Sequence, residues 1–262
     1  MSRVLNLVLT HEEPARVAQM LDWWARVVPG TDLLLAYGGA KELFESIPGE
    51  QQRVFIADPA LRTADHPLER QSYTAVFQQA RTWMQDRDYT HVYFAEYDHL
   101  PLAGDLHERL LATMQQEQAD VLVHHLQRID GTNDPHYLYE CSRPEFHPFW
   151  ERLSCRRDGR VVLTMIATGS FWTREAFSAV AERDEPFRVY LEIYLPTLAH
   201  HLGFRIRDLA SQNKFVTVAG DRSGELAAAA AAGAWSLHQV KTIEPWHLEA
   251  VLGRQERVVA PS

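Results

Sequence analysis

Short apolar segments alternate with longer amphipathic ones along the first half of this chain, and this alternation is the feature that most constrains its fold. The short segments have strand length, while the longer ones repeat apolar residues at helical spacing, as Val17, Met20 and Trp24 do. Strands separated by helices of this length favour an α/β fold with a mostly parallel sheet and helices on both faces. The pattern predicts strands over 4–10, 32–37, 53–57, 91–96 and 120–125, and helices over 12–28, 67–87 and 104–118.

The second half of the chain is less regular. Residues 130–157 are rich in His, Pro, Tyr and Asn and predict long loops. A run of alanines over 227–232 favours a helix by propensity, but Gly224 and Gly233 on either side of it equally indicate a loop. No segment has the composition of a domain linker, so we expect one domain. Further strands are predicted over 160–168, 204–209 and 214–218, and further helices over 173–182 and 189–202.

The charge balance excludes some classes of partner. The chain has 26 Lys and Arg against 35 Asp and Glu, a net charge of −9, which argues against a broad nucleic-acid surface and against attraction to anionic membranes. Its two cysteines, Cys141 and Cys155, have no CxxC spacing, so neither a disulfide framework nor a structural zinc site is expected. The first apolar run is too short for a signal peptide or a membrane span. We therefore expect a cytoplasmic protein that binds neither nucleic acid nor membrane.

The strand that begins at His91 ends in two acidic residues, Glu96 and Asp98, separated by Tyr97. Alternate residues of a strand share a face, so the two carboxylates should point the same way. Carboxylates at the end of a buried strand are costly unless a cation or hydrogen-bond donors neutralise them. Mg²⁺ and Mn²⁺ prefer such oxygen ligands, usually together with phosphate oxygens of a substrate. The pair therefore indicates a metal site, with solvated acids at an ordinary strand end as the alternative.

Other candidate residues follow the predicted strands, because open parallel sheets bind ligands beyond the carboxyl ends of their strands. Gly38 and Gly39 either allow a ligand to approach the backbone closely or form a tight turn. No GxGxxG follows the first strand and no GxxxxGK[ST] occurs, so the dinucleotide fingerprint and the P-loop are both missing. The candidates at strand ends are Thr10, His11, Gly38, Gly39, Asp58, Glu96 and Asp98.

The order of these features resembles the GT-A glycosyltransferases, single-domain α/β enzymes that use nucleotide-sugar donors. The resemblance rests on three short motifs spread over nearly the whole chain. Glu96-Tyr97-Asp98 is similar to the family's DxD motif, with Glu in place of the first Asp. Glu192 lies in the stretch YLEIYLPT near a predicted helix start, and His238 lies in WSLHQVK near the carboxyl terminus. The resemblance implies one GT-A-like domain over 1–262, with a donor-binding half (1–126) and an acceptor-binding half (127–262).

The family resemblance also implies an activity. The chain would move a sugar from a nucleoside-diphosphate donor, commonly a UDP-sugar, to a hydroxyl of a saccharide or small-molecule acceptor, with Mn²⁺ or Mg²⁺ as cofactor. Asp98 and His238 would ligate the metal, and Glu96 would contact the ribose or the metal's surroundings. Glu192 would be the general base of an inverting mechanism. Asp184 and Glu185 are rivals for that role, and a retaining mechanism would need no such base.

Further contacts are expected for the donor and the acceptor. Arg62 and Arg70 flank the start of the helix over 67–87, whose amino terminus favours phosphate; one of them should contact the donor, unless each only pairs with a neighbouring acid. Lys241 either meets a phosphate or is a solvated lysine. Ser170 and Trp172, in the segment GSFW, resemble the acceptor side of GT-A folds. Trp172 either packs on a sugar ring or belongs to the core.

Two alternative functions stay open. A nucleotidyltransferase shares the sheet and the use of metal, but normally has a glycine-rich loop with a basic residue after the first strand, which LVLTHEEPAR lacks. A GT-A-like module that binds nucleotide without catalysis is the other alternative. The presence of Asp98, Glu192 and His238 together argues against it.

Overall fold

The computed structural model contains nine β-strands within its described residues. Those residues are 2–58, 61, 72–129, 138, 142–144, 146–153, 161–183 and 189–259. In chain order the strands are β1 (Val4–Thr10), β2 (Asp32–Tyr37), β3 (Gln52–Phe55), β4 (His91–Glu96), β5 (Leu100–Pro101), β6 (Val121–Arg128), β7 (Leu163–Thr173), β8 (Ile206–Asp208) and β9 (Ser236–Leu237). Seven of them form a central sheet in the order β3-β2-β1-β4-β7-β6-β8, and β5 pairs with β9 in a small antiparallel sheet.

Six strands of the central sheet are parallel to one another, and β7 is reversed. β7 pairs antiparallel with both β4 and β6, whereas the remaining pairs, β1 with β2 and β4, β2 with β3, and β6 with β8, are parallel. This arrangement confirms the predicted α/β class with a mostly parallel sheet. Because the carboxyl ends of parallel strands meet at one edge, the acidic end of β4 lies at the edge where such sheets bind ligands.

Helices cover both faces of the sheet, as the sequence predicts. In chain order they are α1 (Pro14–Val27), α2 (Lys41–Ser46), α3 (Ser72–Met84), α4 (Leu106–Gln116), α5 (Phe146–Arg152), α6 (Arg174–Ala181), α7 (Leu191–His201), α8 (Leu226–Ala231) and α9 (Pro245–Val259). Residues of α3, α5, α6 and α7 pack with Leu5 and Leu7 of β1, whereas those of α1, α4, α8 and α9 pack with Val4 and Val8 on the other face. None of these helices, within the described segments, is both long and apolar enough to cross a bilayer.

Some predicted elements differ from the structure. The strand predicted over 214–218 is wrong, because Asn213–Phe215 is a 3₁₀ turn and Val216 makes only an isolated bridge with His238. The alanine run forms α8, where burial of Leu226 and Ala229 stabilises the helical alternative. The segment predicted as loops over 130–157 includes α5, and much of the rest of it lies outside the described residues.

A bulge interrupts β7 where it approaches the carboxyl edge. Leu122 of β6 lies opposite Phe171, but His124 lies opposite Ile166, so the β7 residues between these pairs exceed those of β6. The strand predicted to end at residue 168 therefore continues beyond Gly169. Gly169 has a φ of +80°, and an added Cβ would lie 2.3 Å from Cε1 of His99. Glycine is thus required at this position both for its backbone conformation and for the space it leaves. We call residues 167–169 the β7 bulge.

Gly169→Ala is expected to destabilise the protein more than the matched change Gly203→Ala. Gly203 also has a positive φ, +96°, but an added Cβ there has no described atom within 4 Å. Both variants strain the backbone, whereas only the Gly169 variant must also displace the buried His99. The free energies of unfolding, measured by urea titration, should differ by about 1–3 kcal/mol, the usual cost of overpacking. Equal losses would contradict this account of the bulge.

Candidate active site

A cavity of about 330 Å³ lies at the carboxyl edge of the central sheet. It is lined by residues from the ends of β1 and β4, from the β7 bulge, from the start of α7 and from the segment that follows β9. Glu96, Asp98, Glu192, His238 and Lys241 all contribute to its lining. With His11, which also lines it, the cavity brings together six of the residues singled out from the sequence, although they are far apart along the chain.

Three of these residues form a group with the geometry of a metal-ligand set. Glu96, Asp98 and His238 each offer one ligand atom, and these three atoms lie within 4.8 Å of one another. Nε2 of His238 is 3.5 Å from Oδ1 of Asp98 and 4.0 Å from Oε2 of Glu96. Such separations suit atoms that surround one small cation at about 2.0–2.2 Å each. Among the described residues, no other three His, Cys, Asp or Glu side chains come together in this way.

The hydrogen bonds of this group also fit a cation. Asp98 is only 2% exposed, and its Oδ1 atom accepts no hydrogen bond from any described residue. Nδ1 of His238 is 3.1 Å from the Thr217 carbonyl oxygen, so Nδ1 carries the proton and the Nε2 lone pair is directed at the carboxylates. Burial lowers the pKa of His238 more than Asp98 raises it, which keeps the ring neutral. A lone pair facing two carboxylates is unfavourable unless a cation lies between them.

His238 reaches the metal-ligand group through backbone pairing. β9, which immediately precedes it, pairs with β5 just after Asp98. The His238 N–H donates to the Phe215 carbonyl over 3.1 Å, and the Val240 N–H donates to the Asp98 carbonyl over 2.8 Å. These bonds fix the segment on both sides of the histidine. Without the family resemblance, a sequence pattern could not have selected this residue among the 13 histidines.

Lys241 is paired with the same aspartate. Its Nζ atom donates to Oδ2 of Asp98 and lies 3.4 Å from the Tyr97 hydroxyl. Burial alone would lower the pKa of Lys241, but its hydrogen bonds and charge interactions with Asp98 and Tyr97 together outweigh this and raise it. The lysine is therefore a charged residue of the cavity rather than a freely solvated one.

Glu192 provides a carboxyl group of a different kind. It lies in the first turn of α7, where its Oε1 atom accepts a hydrogen bond from the Ala167 N–H over 3.2 Å. Removal from water raises the pKa of Glu192 to about 7, although the Ala167 N–H and the Tyr190 side chain act in the opposite direction. A carboxyl group with a pKa near neutrality can accept and release a proton at physiological pH, as a general base requires.

The β7 bulge connects the two acidic parts of the site. Ala167 holds Glu192, and the Thr168 hydroxyl accepts a hydrogen bond from the Glu96 N–H over 2.9 Å. Neighbouring residues of one strand thus contact both the end of β4 and the start of α7. This arrangement could not be predicted from the sequence, because a glycine at position 169 is equally consistent with the end of a strand.

The donor-binding residues expected from the sequence have different outcomes. His11 lines the cavity and meets the Tyr97 ring edge-to-face, with centroids 5.4 Å apart. Thr10 is fully buried, its hydroxyl accepts from the Glu12 N–H in the turn after β1, and it is not among the residues that line the cavity. Gly38 is also buried, and an added Cβ would lie 2.8 Å from Leu61, so its side is closed to a ligand.

The structure places the two residues expected on the acceptor side in the core. Ser170 and Trp172 are both fully buried, and Nε1 of Trp172 donates to the Ser170 hydroxyl over 2.8 Å. Ser170 and Trp172 pair with Phe94 and Val92 of β4, which lie before the carboxyl end of that strand. Trp172 is therefore a core residue. Arg62, Arg70, Asp184 and Glu185 lie outside the described residues.

Arg16 is a candidate that the sequence reasoning missed. It lies in the first turn of α1, donates to the Val240 carbonyl over 2.9 Å, and is close enough to Tyr97 and Asp98 to interact with their charges. Its buried Nη1 atom has no hydrogen-bond partner among the described residues, and burial lowers its pKa. The available signal was its place at the start of the helix after β1, since the amino terminus of such a helix favours phosphate.

Comparisons with known proteins give no family for the chain. No protein-family model matches it, and no curated protein matches it. Among solved structures, bifunctional IspDF from Campylobacter jejuni has a TM-score of 0.44 at 9% identity over 80% of this chain, which spans half of that protein. A putative nucleotide-diphospho-sugar transferase from Desulfovibrio desulfuricans G20 has a TM-score of 0.41 at 12% identity, over 80% of each chain. CMP:2-keto-3-deoxy-manno-octonic acid synthetase, solved with CTP, has a TM-score of 0.44 at 9% identity, over 80% of this chain and 90% of that one. Likenesses this distant leave the function to be argued from the site itself.

The raised pKa of Glu192 predicts a pH-dependent effect of Glu192→Gln on stability. Because the carboxyl group has a higher pKa in the folded protein than the ordinary value of 4.5, its ionisation disfavours the folded state increasingly as pH rises from about 4.5 to about 7. The variant should therefore gain stability relative to wild type over this range and keep that gain at higher pH. Urea titrations at several pH values measure this. Glu182→Gln, at an exposed position, should show no such trend, and a constant difference for Glu192→Gln would refute the raised pKa.

The metal-ligand geometry predicts that Asp98→Asn loses Mn²⁺ binding. The affinity should fall by more than about 100-fold, because even the loss of a residue that only orients a metal ligand costs about 10- to 100-fold. Calorimetric titration with MnCl₂ measures this affinity. Asp105→Asn removes an exposed acid that pairs with Arg109 and should bind Mn²⁺ as wild type does. Unchanged binding to the Asp98 variant would show that the metal lies elsewhere.

Proposed function

We propose that this protein is a metal-dependent glycosyltransferase that moves a sugar from a nucleoside-diphosphate donor, with a UDP-sugar as the favoured class, to an acceptor hydroxyl. The observation that carries the proposal is the composition of one cavity. It combines a three-residue ligand set for a cation with a carboxyl group whose pKa is about 7. An inverting glycosyl transfer from a diphosphate uses both, since negative charge develops on the departing diphosphate and the acceptor hydroxyl must lose its proton.

The leaving-group side of the proposed reaction belongs to Asp98, His238 and Glu96. These residues would hold a divalent metal, which when bound would stabilise the negative charge that develops on the departing diphosphate. Lys241 adds a second positive charge beside Asp98. Arg16 adds a third positive charge, which is close enough to interact electrostatically with Asp98. The metal itself, Mn²⁺ or Mg²⁺, is part of the proposal.

The acceptor side of the proposed reaction belongs to Glu192. Its ionised carboxylate takes the proton of the acceptor hydroxyl as that oxygen forms a bond to the anomeric carbon. The bond from this carbon to the phosphate oxygen breaks in the same step, and its electron pair leaves with the nucleoside diphosphate. Attack from the side opposite the leaving group inverts the configuration at the carbon. Tyr190 and the Ala167 N–H hold the carboxylate in place by hydrogen bonds.

A nucleotidyltransferase is the second candidate, and Arg16 favours it. The argument against it was the lack of a glycine-rich loop with a basic residue after the first strand. That loop is missing from the sequence, but the basic residue exists, because Arg16 lies beside the cavity near Asp98. In that reaction a sugar phosphate would attack the α-phosphorus of a nucleoside triphosphate and release pyrophosphate. Glu192 would have no evident role in it, which is why glycosyl transfer is preferred.

Product analysis distinguishes the two candidates. The protein is incubated with Mn²⁺ and a panel of nucleoside-diphosphate sugars, and separately with nucleoside triphosphates and sugar 1-phosphates. Release of a nucleoside diphosphate in the first set supports glycosyl transfer, with water serving as a slow acceptor. Release of pyrophosphate in the second set supports nucleotidyl transfer. Metal-dependent nucleotide binding with neither product would identify a binding module instead.

Glu192→Gln is expected to lower kcat by about 10²- to 10⁴-fold, the usual contribution of a general base. Its affinity for the nucleoside diphosphate should stay near that of wild type, because Glu192 is assigned to the acceptor side. The wild-type rate should fall about tenfold per pH unit below pH 7, since protonation of the carboxyl removes the base. Steady-state kinetics at several pH values and calorimetry with the diphosphate measure these effects. A variant with wild-type kcat would rule out this role.

A further inference from the structure

The two oxygens of the Asp98 carboxylate have different surroundings. Oδ2 accepts a hydrogen bond from Nζ of Lys241. Oδ1 is buried, lies 3.5 Å from Nε2 of His238, and accepts no hydrogen bond from the described residues. A cation held by Oδ1, His238 and Glu96 would therefore leave Oδ2 with the lysine. Metal and Lys241 would share one carboxylate, each on its own oxygen.

Sharing a carboxylate in this way leaves an excess of positive charge. Glu96 and Asp98 together balance a divalent cation, and His238 adds no charge as a ligand, since its Nδ1–H donates to the Thr217 carbonyl and its Nε2 lone pair faces the carboxylates. The ammonium group of Lys241 would then share the Asp98 carboxylate with the metal, and a further negative charge close enough to interact with it is that of the exposed Asp221. At such separations, charge–charge interactions at a partly exposed site are substantial. Lys241 must therefore oppose the metal until an anion joins them.

The backbone of Lys241 is held in place beside Asp98. The Val240 N–H bonds to the Asp98 carbonyl, and the Lys241 N–H donates to Oδ1 of Asp221 over 3.0 Å, so the backbone on both sides is fixed. Its side chain is 41% exposed and lines the cavity, so the ammonium group remains accessible to a ligand there. An ammonium group has three donors, and a phosphate oxygen can accept one while Asp98 keeps another.

We propose that Lys241 couples metal binding to phosphate binding: it weakens the metal's affinity for the Asp98 site when the cavity holds no phosphate, and strengthens it when a phosphate group bridges the metal and the lysine. The proposal rests on the metal site of the proposed function and adds an order of events to it. Metal and the diphosphate part of the donor bind together, and neither binds tightly alone. By thermodynamic linkage the metal must raise phosphate affinity by the same factor.

The test is a set of Mn²⁺ titrations, followed by the electron paramagnetic resonance signal of free Mn²⁺. Wild type, Lys241→Met and Lys241→Arg are titrated alone and with pyrophosphate, and the formation of Mn²⁺–pyrophosphate is measured without protein and included in the fit. Lys41→Met is the matched control, because it removes an exposed lysine that does not line the cavity. Thermal unfolding in the presence of chelator shows that each variant is folded.

The expected result is a reversal of sign. Without pyrophosphate, Lys241→Met should bind Mn²⁺ about 5- to 150-fold more tightly than wild type, the usual range for coupled sites. With pyrophosphate, wild type should gain affinity for Mn²⁺ while Lys241→Met gains far less. Lys241→Arg and Lys41→Met should both behave as wild type. Each of these outcomes supports the coupling.

Several results would overturn the proposal. If Lys241→Met binds Mn²⁺ alone no more tightly than wild type, the lysine only supports Asp98 structurally. If that variant does not fold, the wild-type titrations still test the coupling. The coupling is excluded if the wild-type protein binds Mn²⁺ and pyrophosphate without either one raising the affinity for the other. Binding of Mn²⁺ that Asp98→Asn abolishes and Lys241→Met leaves unchanged overturns the coupling alone. Failure of every protein to bind Mn²⁺ overturns the metal-dependent function together with it.

Discussion

The carboxylate of Asp98, buried at the end of a central strand, is the constraint around which the site is organised. A buried charge of this kind is strongly destabilising unless other groups compensate it. The chain supplies a lysine to one oxygen, and the neutral histidine beside the other is placed to share a cation with it; both come from the segment after β9. That segment is held by β5, by the Asp98 carbonyl and by Phe215, all of which are parts of the fold remote from it in sequence. The carboxyl-terminal part of the chain is therefore tied to the end of β4 both by backbone pairing and by the need to neutralise one charge.

The two acidic parts of the cavity differ in their electrostatic surroundings. Around Asp98 and Glu96 the surrounding groups are arranged to receive positive charge. Around Glu192 they are arranged to make ionisation harder, so that its pKa rises to about 7. Carboxyl groups in one cavity with such different environments are typical of sites that use one group for electrostatic stabilisation and another for proton transfer. This contrast is more informative about reaction chemistry than the number of acidic residues.

The sequence predicts the sheet and the acidic strand end because both depend on local patterns. Apolar periodicity identifies strands and helices, and the alternation of a strand places Glu96 and Asp98 on one side. The reversed direction of β7 could not be predicted, because the order of apolar residues in a buried strand has no polarity. Trp172 was assigned to the acceptor side because the segment GSFW resembles that part of GT-A folds, and its place in the core depends on how β7 continues beyond Gly169. His238 and Glu192 were selected by family resemblance alone. Their place in the same cavity as Asp98 depends on backbone pairing between segments far apart in the sequence. Arg16 was missed because a basic residue in a first helical turn is common.

The β7 bulge holds the reactive groups of the site in place, whereas other side chains determine the shape of the cavity that receives the substrate. Ala167 holds Glu192 through its backbone, the Thr168 hydroxyl holds the Glu96 N–H, and position 169 requires glycine, so these three residues set the spacing between the base and the end of β4. The surrounding surface of the cavity, in contrast, is formed by variable-sized side chains such as Ile166, Leu191 and Val218. Substitutions among these can reshape the cavity without disturbing the reactive groups. A scaffold of this kind can diverge in substrate preference by single, independent mutations while its chemistry is inherited unchanged.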